Sequence, residues 1–281
     1  MSFESAFQDF QAEINAIQFE FDLLSPAWAY VSGIRSDGVQ SERWTDGSGV
    51  LRRELLTDNQ SNDGMGVKPW DWMLTSYRED GSKSLKYTQK TETTAFATLF
   101  EDDGSQTKVN FAANKVVISN FDASGTITAR FIAYEDGRES QITYDENGVL
   151  RERLTLDGPL NDLGDAPDLT GDPPEPADND GAFPWAQRLE RFDASGTIEF
   201  KGTLFDDGDT EAIIFNDSGT RQEKQLIDQD FDQPWLARRV IFDETGKVEQ
   251  RIDYSAEDGI PDDFIFADAF VDPGDAPVFE G

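Results

Sequence analysis

The sequence predicts an all-β protein: an antiparallel β-meander of about five hairpin repeats of roughly 45 residues, preceded by one N-terminal amphipathic α-helix. Three observations point there. Pro-Trp opens three similar stretches, Trp70 to Gly81, Trp185 to Gly196 and Trp235 to Gly246, each with an aromatic residue seven positions on (Tyr77, Phe192, Phe242) and a glycine eleven positions on. Glycines also recur every 11 or 12 residues at Gly125, Gly137 and Gly148, and again 71 residues later at Gly196, Gly208 and Gly219. The segments between them, such as TITARFIAY and TIEFKGTLF, are rich in the β-branched and aromatic residues that strands favour.

Residues 1–25 carry Phe3, Phe7, Phe10, Ile14, Ile17 and Phe21 at alternating intervals of 4 and 3, a helical apolar stripe. Ser2 is placed to cap it, and Ser25-Pro26 marks its end. Such a helix either mediates oligomerisation or covers part of the protein's own β-structure.

Residues 26–271 form the repeat domain, with units near 28–69, 70–113, 114–184, 185–234 and 235–271. Trp28 begins a worn first copy. The third copy lacks Pro-Trp, but Phe121 and Gly125 hold its aromatic and turn positions. The run Phe121 to Ile127 recurs verbatim as Phe192 to Ile198. Turns such as Asp-Ala-Ser-Gly and Asp-Asp-Gly place Asp where its side chain bonds the local backbone and Gly where φ is positive. Strands joined this tightly must be antiparallel, because parallel pairing needs long crossovers. The third unit also holds an acidic loop insertion, 157–183, rich in Pro, Gly and Asp, and residues 272–281 form an irregular tail. Four-stranded units of this length also fit a five-bladed β-propeller. The one-sided alternation of Leu150, Leu154 and Leu156 against Arg151, Arg153 and Thr155 favours a meander with one buried face.

The aromatic-Asp-x-x-Gly turns Tyr144 to Gly148 and Phe242 to Gly246 resemble those of the YD/RHS-type tandem β-hairpin repeats. The Pro-Trp openings and the turns YEDG (134–137) and FDDG (205–208) look more like repeats of large acidic proteins exported by marine bacteria. The resemblance spans residues 28–260 and implies a hairpin architecture in a surface or secreted setting. It supplies no catalytic residue, and the chain is far shorter than RHS proteins, which build a closed shell.

Composition narrows the chemistry. With 24 basic and 57 acidic residues the formal charge is −33, a field that repels nucleic acids and anionic membranes. There is no cysteine and no histidine, which excludes thiolate nucleophiles, Ser-His-Asp triads and His-ligated zinc. No cleavable signal peptide or membrane-inserting segment is evident, and an extracellular or surface location is favoured. Acid-rich segments lead into each Pro-Trp. Asp228, Asp230 and Asp232 alternate, and Asp178 and Asp180 resemble part of a calcium loop, so calcium is the one cofactor the sequence suggests. Neither segment completes an EF-hand. Trp28, Trp70, Trp185 and Trp235 share one repeat position and are expected in the core, whereas Trp44 and Trp72 fall outside that register and are candidates for contact with a protein or glycan partner. No catalytic residue stands out. The reading that results is a non-enzymatic binding or assembly protein of a surface, secreted or virion setting. The alternative is a carbohydrate-binding or carbohydrate-active protein using paired carboxylates and exposed tryptophan.

Overall fold

A computed structural model describes residues 27–58, 68–91, 93–158 and 183–265. The expected N-terminal helix, most of the acidic insertion with Asp178 and Asp180, and the C-terminal tail lie outside these residues. The described residues contain seventeen strands and no α-helix. The described residues divide into two compact units, on either side of a boundary between Ile132 and Ala133.

In the first unit, β1 (Ala29–Ile34), β2 (Gln40–Thr45), β3 (Leu51–Thr57), β4 (Trp72–Tyr77), β5 (Lys83–Thr91), β6 (Thr94–Phe100), β7 (Gln106–Ala112) and β8 (Lys115–Phe121) pair antiparallel, each with the next. Strand β9 (Ile127–Tyr134) runs across the division. In the second unit, β10 (Glu139–Tyr144), β11 (Leu150–Leu156), β12 (Trp185–Phe192), β13 (Ile198–Phe205), β14 (Thr210–Phe215), β15 (Arg221–Ile227), β16 (Ala237–Phe242) and β17 (Val248–Tyr254) continue in the same way. The meander is therefore what the turn spacing implies. The propeller alternative is not. Blades are separate sheets, but pairing runs unbroken where the sequence places boundaries between units, at β3–β4, β7–β8, β11–β12 and β15–β16.

One turn design joins most of the hairpins. At Asp122, for example, the N–H donates to the Thr126 carbonyl (2.9 Å), and the Gly125 N–H donates back to the Asp122 carbonyl (2.9 Å). This is a three-residue hairpin loop whose last position must be left-handed, and Gly125 supplies it at φ +86°. The same pair of bonds closes the turns beginning at Arg35, Asp46, Arg78, Glu101, Tyr134, Asp145, Asp193, Phe205, Asn216 and Asp243. A carboxylate reinforces them in two ways. Where Asp stands first, as in Asp122 and Asp193, its Oδ1 accepts the amides two and four residues on and the intervening serine hydroxyl, all at 2.7–2.9 Å. Where Asp stands third, as in Asp80 and Asp103, its Oδ1 accepts the amide two residues on, and at Asp80 the Ser82 hydroxyl as well (2.6 Å).

Alternation sets the packing. Across β11 to β14, Leu154, Leu189, Gly202 and Ala212 stand opposite one another, and a parallel row holds Leu156, Gln187, Leu204 and Thr210. Leu154, Leu156, Leu189 and Ala212 of these rows, with Phe200, Ile227, Ala237 and Phe264, form the core of the second unit. The opposite face carries charge: Arg153 pairs with Glu190 (3.2 Å), Lys224 with Glu211, and Arg238 with Asp253 (2.6 Å). The first unit repeats the scheme with a smaller cluster, Ala95, Ala97, Val109, Phe111 and Val116.

Candidate functional site

The acid-rich segments before each Pro-Trp are built around one aspartate apiece. Asp58, Asp157 and Asp228 immediately follow β3, β11 and β15. The N–H of each donates to the carbonyl of the residue after the tryptophan: Asp71 (2.8 Å), Ala186 (3.0 Å) and Leu236 (2.9 Å). Their Oδ2 atoms accept the amide two residues before the tryptophan: Lys68 (3.0 Å), Phe183 (2.7 Å) and Gln233 (3.2 Å). The aspartate thus clamps the two ends of the connector together, whatever the connector's length. Asp157 and Asp228 are 1% and 0% exposed, so their charges need compensation.

A hairpin turn supplies the neighbouring charge, and here the copies diverge. The turns of residues 134–138 and 205–209 lie 71 residues apart, as do Asp157 and Asp228, so Arg138 and Asp209 are equivalent positions. Arg138 pairs with Asp136 (2.8 Å) and lies over the Tyr134 and Phe183 rings (4.7 and 5.2 Å). The Asp136 hydrogen bond raises its guanidinium pKa, and the charge of Asp157 adds to the effect. In the first unit, the Lys68 ammonium pairs with Asp37 of the turn at 35–39 (3.5 Å). In the remaining copy the position of Arg138 is an acid. Asp209, Asp228 and Asp230 bring one carboxylate oxygen each to within 4.8 Å of one another.

The consequences follow from Coulomb's law and burial. Burial, together with the charges of Asp207, Asp228 and Asp230, pushes the Asp209 carboxyl up to about 6, against the Gln229 amide that bonds it at 2.8 Å. Burial also raises Asp228, with Asp230 and Asp232 contributing, against the Gln233 amide. Between the acids, Phe231 holds φ at +58°, among the described residues the one non-glycine in the left-handed region.

Of the residues the sequence singled out, the structure brings Asp228 and Asp230 together and leaves Asp232 outside the cluster. Asp232 donates its amide to Asp230 Oδ1 (3.1 Å) and accepts Gln233 Nε2 (2.5 Å). Asp209 was missed. Aligning the two 71-residue copies, with Asp where Arg stands, was the signal that could have found it. The candidate tryptophans are each half-buried against a tyrosine: Trp44 faces Tyr30 across β1–β2 (5.1 Å), and Trp72 stacks on Tyr87 (4.8 Å). Of the four repeat tryptophans, Trp185 and Trp235 are buried, while Trp28 and Trp70 are half-buried. Arginines cover three of the rings: Arg52 lies over Trp28 (5.1 Å), Arg188 over Trp185 (4.3 Å) and Arg238 over Trp235 (4.4 Å).

A groove between the turns at 78–82 and 101–105 is lined by Arg78, Asp80, Phe100, Asp102 and Gln106. Arg78 is already engaged there by Asp102 (2.6 Å), by the Lys83 carbonyl (2.6 Å) and by the Phe100 carbonyl. No family model matches the chain, and no curated protein matches it.

Proposed function

We propose that the chain is a non-enzymatic β-repeat scaffold that works by binding or assembly in a surface, secreted or virion setting. One observation carries this reading: outside the cluster of Asp209, Asp228 and Asp230, the charged side chains named above are engaged in building the fold. They close turns (Asp46, Asp122, Asp193, Asp243), clamp connectors (Asp58, Asp157) and pair across strands (Arg43 with Glu54, Arg153 with Glu190, Arg238 with Asp253). Catalytic carboxylate pairs are instead left free to meet a substrate. The absence of His and Cys from the whole sequence supports the same reading, as does its resemblance to tandem hairpin repeats. The charge of −33 suits a soluble surface and disfavours nucleic acid as a partner.

The test is a turnover assay of the purified chain on a panel of soluble polysaccharides, with light scattering for mass. The expected result is no product and a defined monomer or closed oligomer. Turnover that disappears when one carboxylate pair is replaced by amides would overturn the proposal.

A further inference from the structure

We infer that Asp209, Asp228 and Asp230 form a binding site for one hard divalent cation, calcium by its tolerant oxygen ligation, that ties the β13–β14 turn to the β15–β16 connector. The first observation is the buried oxygen. Asp228 is 0% exposed; its Oδ2 accepts the Gln233 amide, and its Oδ1 is buried without a hydrogen-bond partner. A buried carboxylate oxygen in that condition calls for a cation or a donor, and the titratable groups gathered beside the Asp228 side chain are two further carboxylates.

The second observation is the comparison between copies. At the equivalent connector, Asp157 has the guanidinium of Arg138 beside it, and the repeat replaces that arginine with Asp209. A fixed cation of the protein is thereby exchanged for an anion, while the clamp bonds of the connector aspartate are kept. The exchange makes physical sense when a mobile cation takes the guanidinium's place.

Ligation points to calcium, which accepts irregular sets of oxygen ligands where magnesium demands a near-ideal octahedron. Calcium holds oxygen ligands at about 2.4 Å, so oxygens on one ion lie at most about 4.8 Å apart. The three carboxylates meet that limit as they stand. Alternating acids on a connector and a turn also give the mixed protein and water ligation that calcium accepts. The inference does not rest on the scaffold reading, since an enzyme could hold the same ion.

The test is titration of the full chain with calcium chloride after chelation, followed by calorimetry and by thermal unfolding on tryptophan fluorescence. At a hundredfold excess over the dissociation constant, the melting transition of the second unit should rise by about 5–10 °C. Asp209→Arg, which copies Arg138, should bind one calcium fewer per chain and lose that rise while melting no lower than the wild type in chelator. Asp230→Asn, an exposed position, should also lose one calcium. No calcium binding by the wild type, or an unchanged calcium count in both variants, would overturn the site.

Discussion

Asparagine placed at two equivalent connector positions should act with opposite signs. Asp157 and Asp228 occupy the same repeat position, are both buried, and make the same pair of backbone bonds. Asparagine keeps an oxygen that can accept the Phe183 or Gln233 amide and removes only the charge. At Asp157 the charge faces Arg138, whose side chain is 29% exposed, so solvent weakens the attraction; losing it should cost about 1 kcal/mol. At Asp228 the charge faces Asp209 and Asp230 across no more than 4.8 Å. A like-charge pair at that separation costs about 1 kcal/mol in water and about 3 kcal/mol at an effective dielectric constant near 20. Because part of this repulsion is already relieved by raised carboxyl pKa values, Asp228→Asn should stabilise the chelated protein by about 1–2 kcal/mol. Urea unfolding in chelator at neutral pH, followed on the buried Trp185 and Trp235, measures both. If both substitutions shift stability in the same direction, the charge facing each connector does not govern it, and the reasoning fails.

Three further outcomes can be checked on the same protein. Leu189→Ala removes a side chain that is 0% exposed between Leu154 and Gly202, and should cost about 2–5 kcal/mol in urea unfolding. Gly125→Ala introduces a Cβ with nothing within 4 Å, at φ +86°, so its cost should be that of the left-handed backbone alone, about 1–2 kcal/mol; a larger loss would show a contact that the fold does not contain. Asp46 is held down to about 2 by the Ser48 hydroxyl, the Val50 and Ser48 amides and Arg52. Its folded pKa lies below its unfolded one, so its contribution is present above about pH 4 and lost as the pH falls towards 2. Asp46→Asn, which copies Asn216 in the equivalent turn, should flatten that stretch of the stability–pH curve; equal acid slopes in the two proteins would exclude Asp46 as a contributor.

What the sequence disclosed, and what it concealed, follows from the range of the interactions involved. The hairpin turns were legible because their requirements are local: Gly125 and Gly196 sit where only a left-handed residue closes the loop, and Asp122 and Asp193 bond amides within four residues. The meander followed, since turns that short admit only antiparallel neighbours. The burial of the tryptophans was legible only by halves. Trp185 and Trp235 are buried and Trp28 and Trp70 are not, although all four share a motif, because burial depends on what each unit packs above the ring. The connector clamps were hidden for the same reason. Asp157 accepts an amide 26 residues away, and nothing in the intervening composition marks the pair. The acid cluster shows the difference most sharply. Alternation along the chain drew attention to Asp232, which the backbone turns aside, whereas the third carboxylate, Asp209, comes from a turn on the far side of β14 and β15. Only the internal repeat carries that information in one dimension. It sets the residue at position 209 where Arg138 stands in the other copy, and a carboxylate in place of a guanidinium turns attraction at the connector aspartate into repulsion.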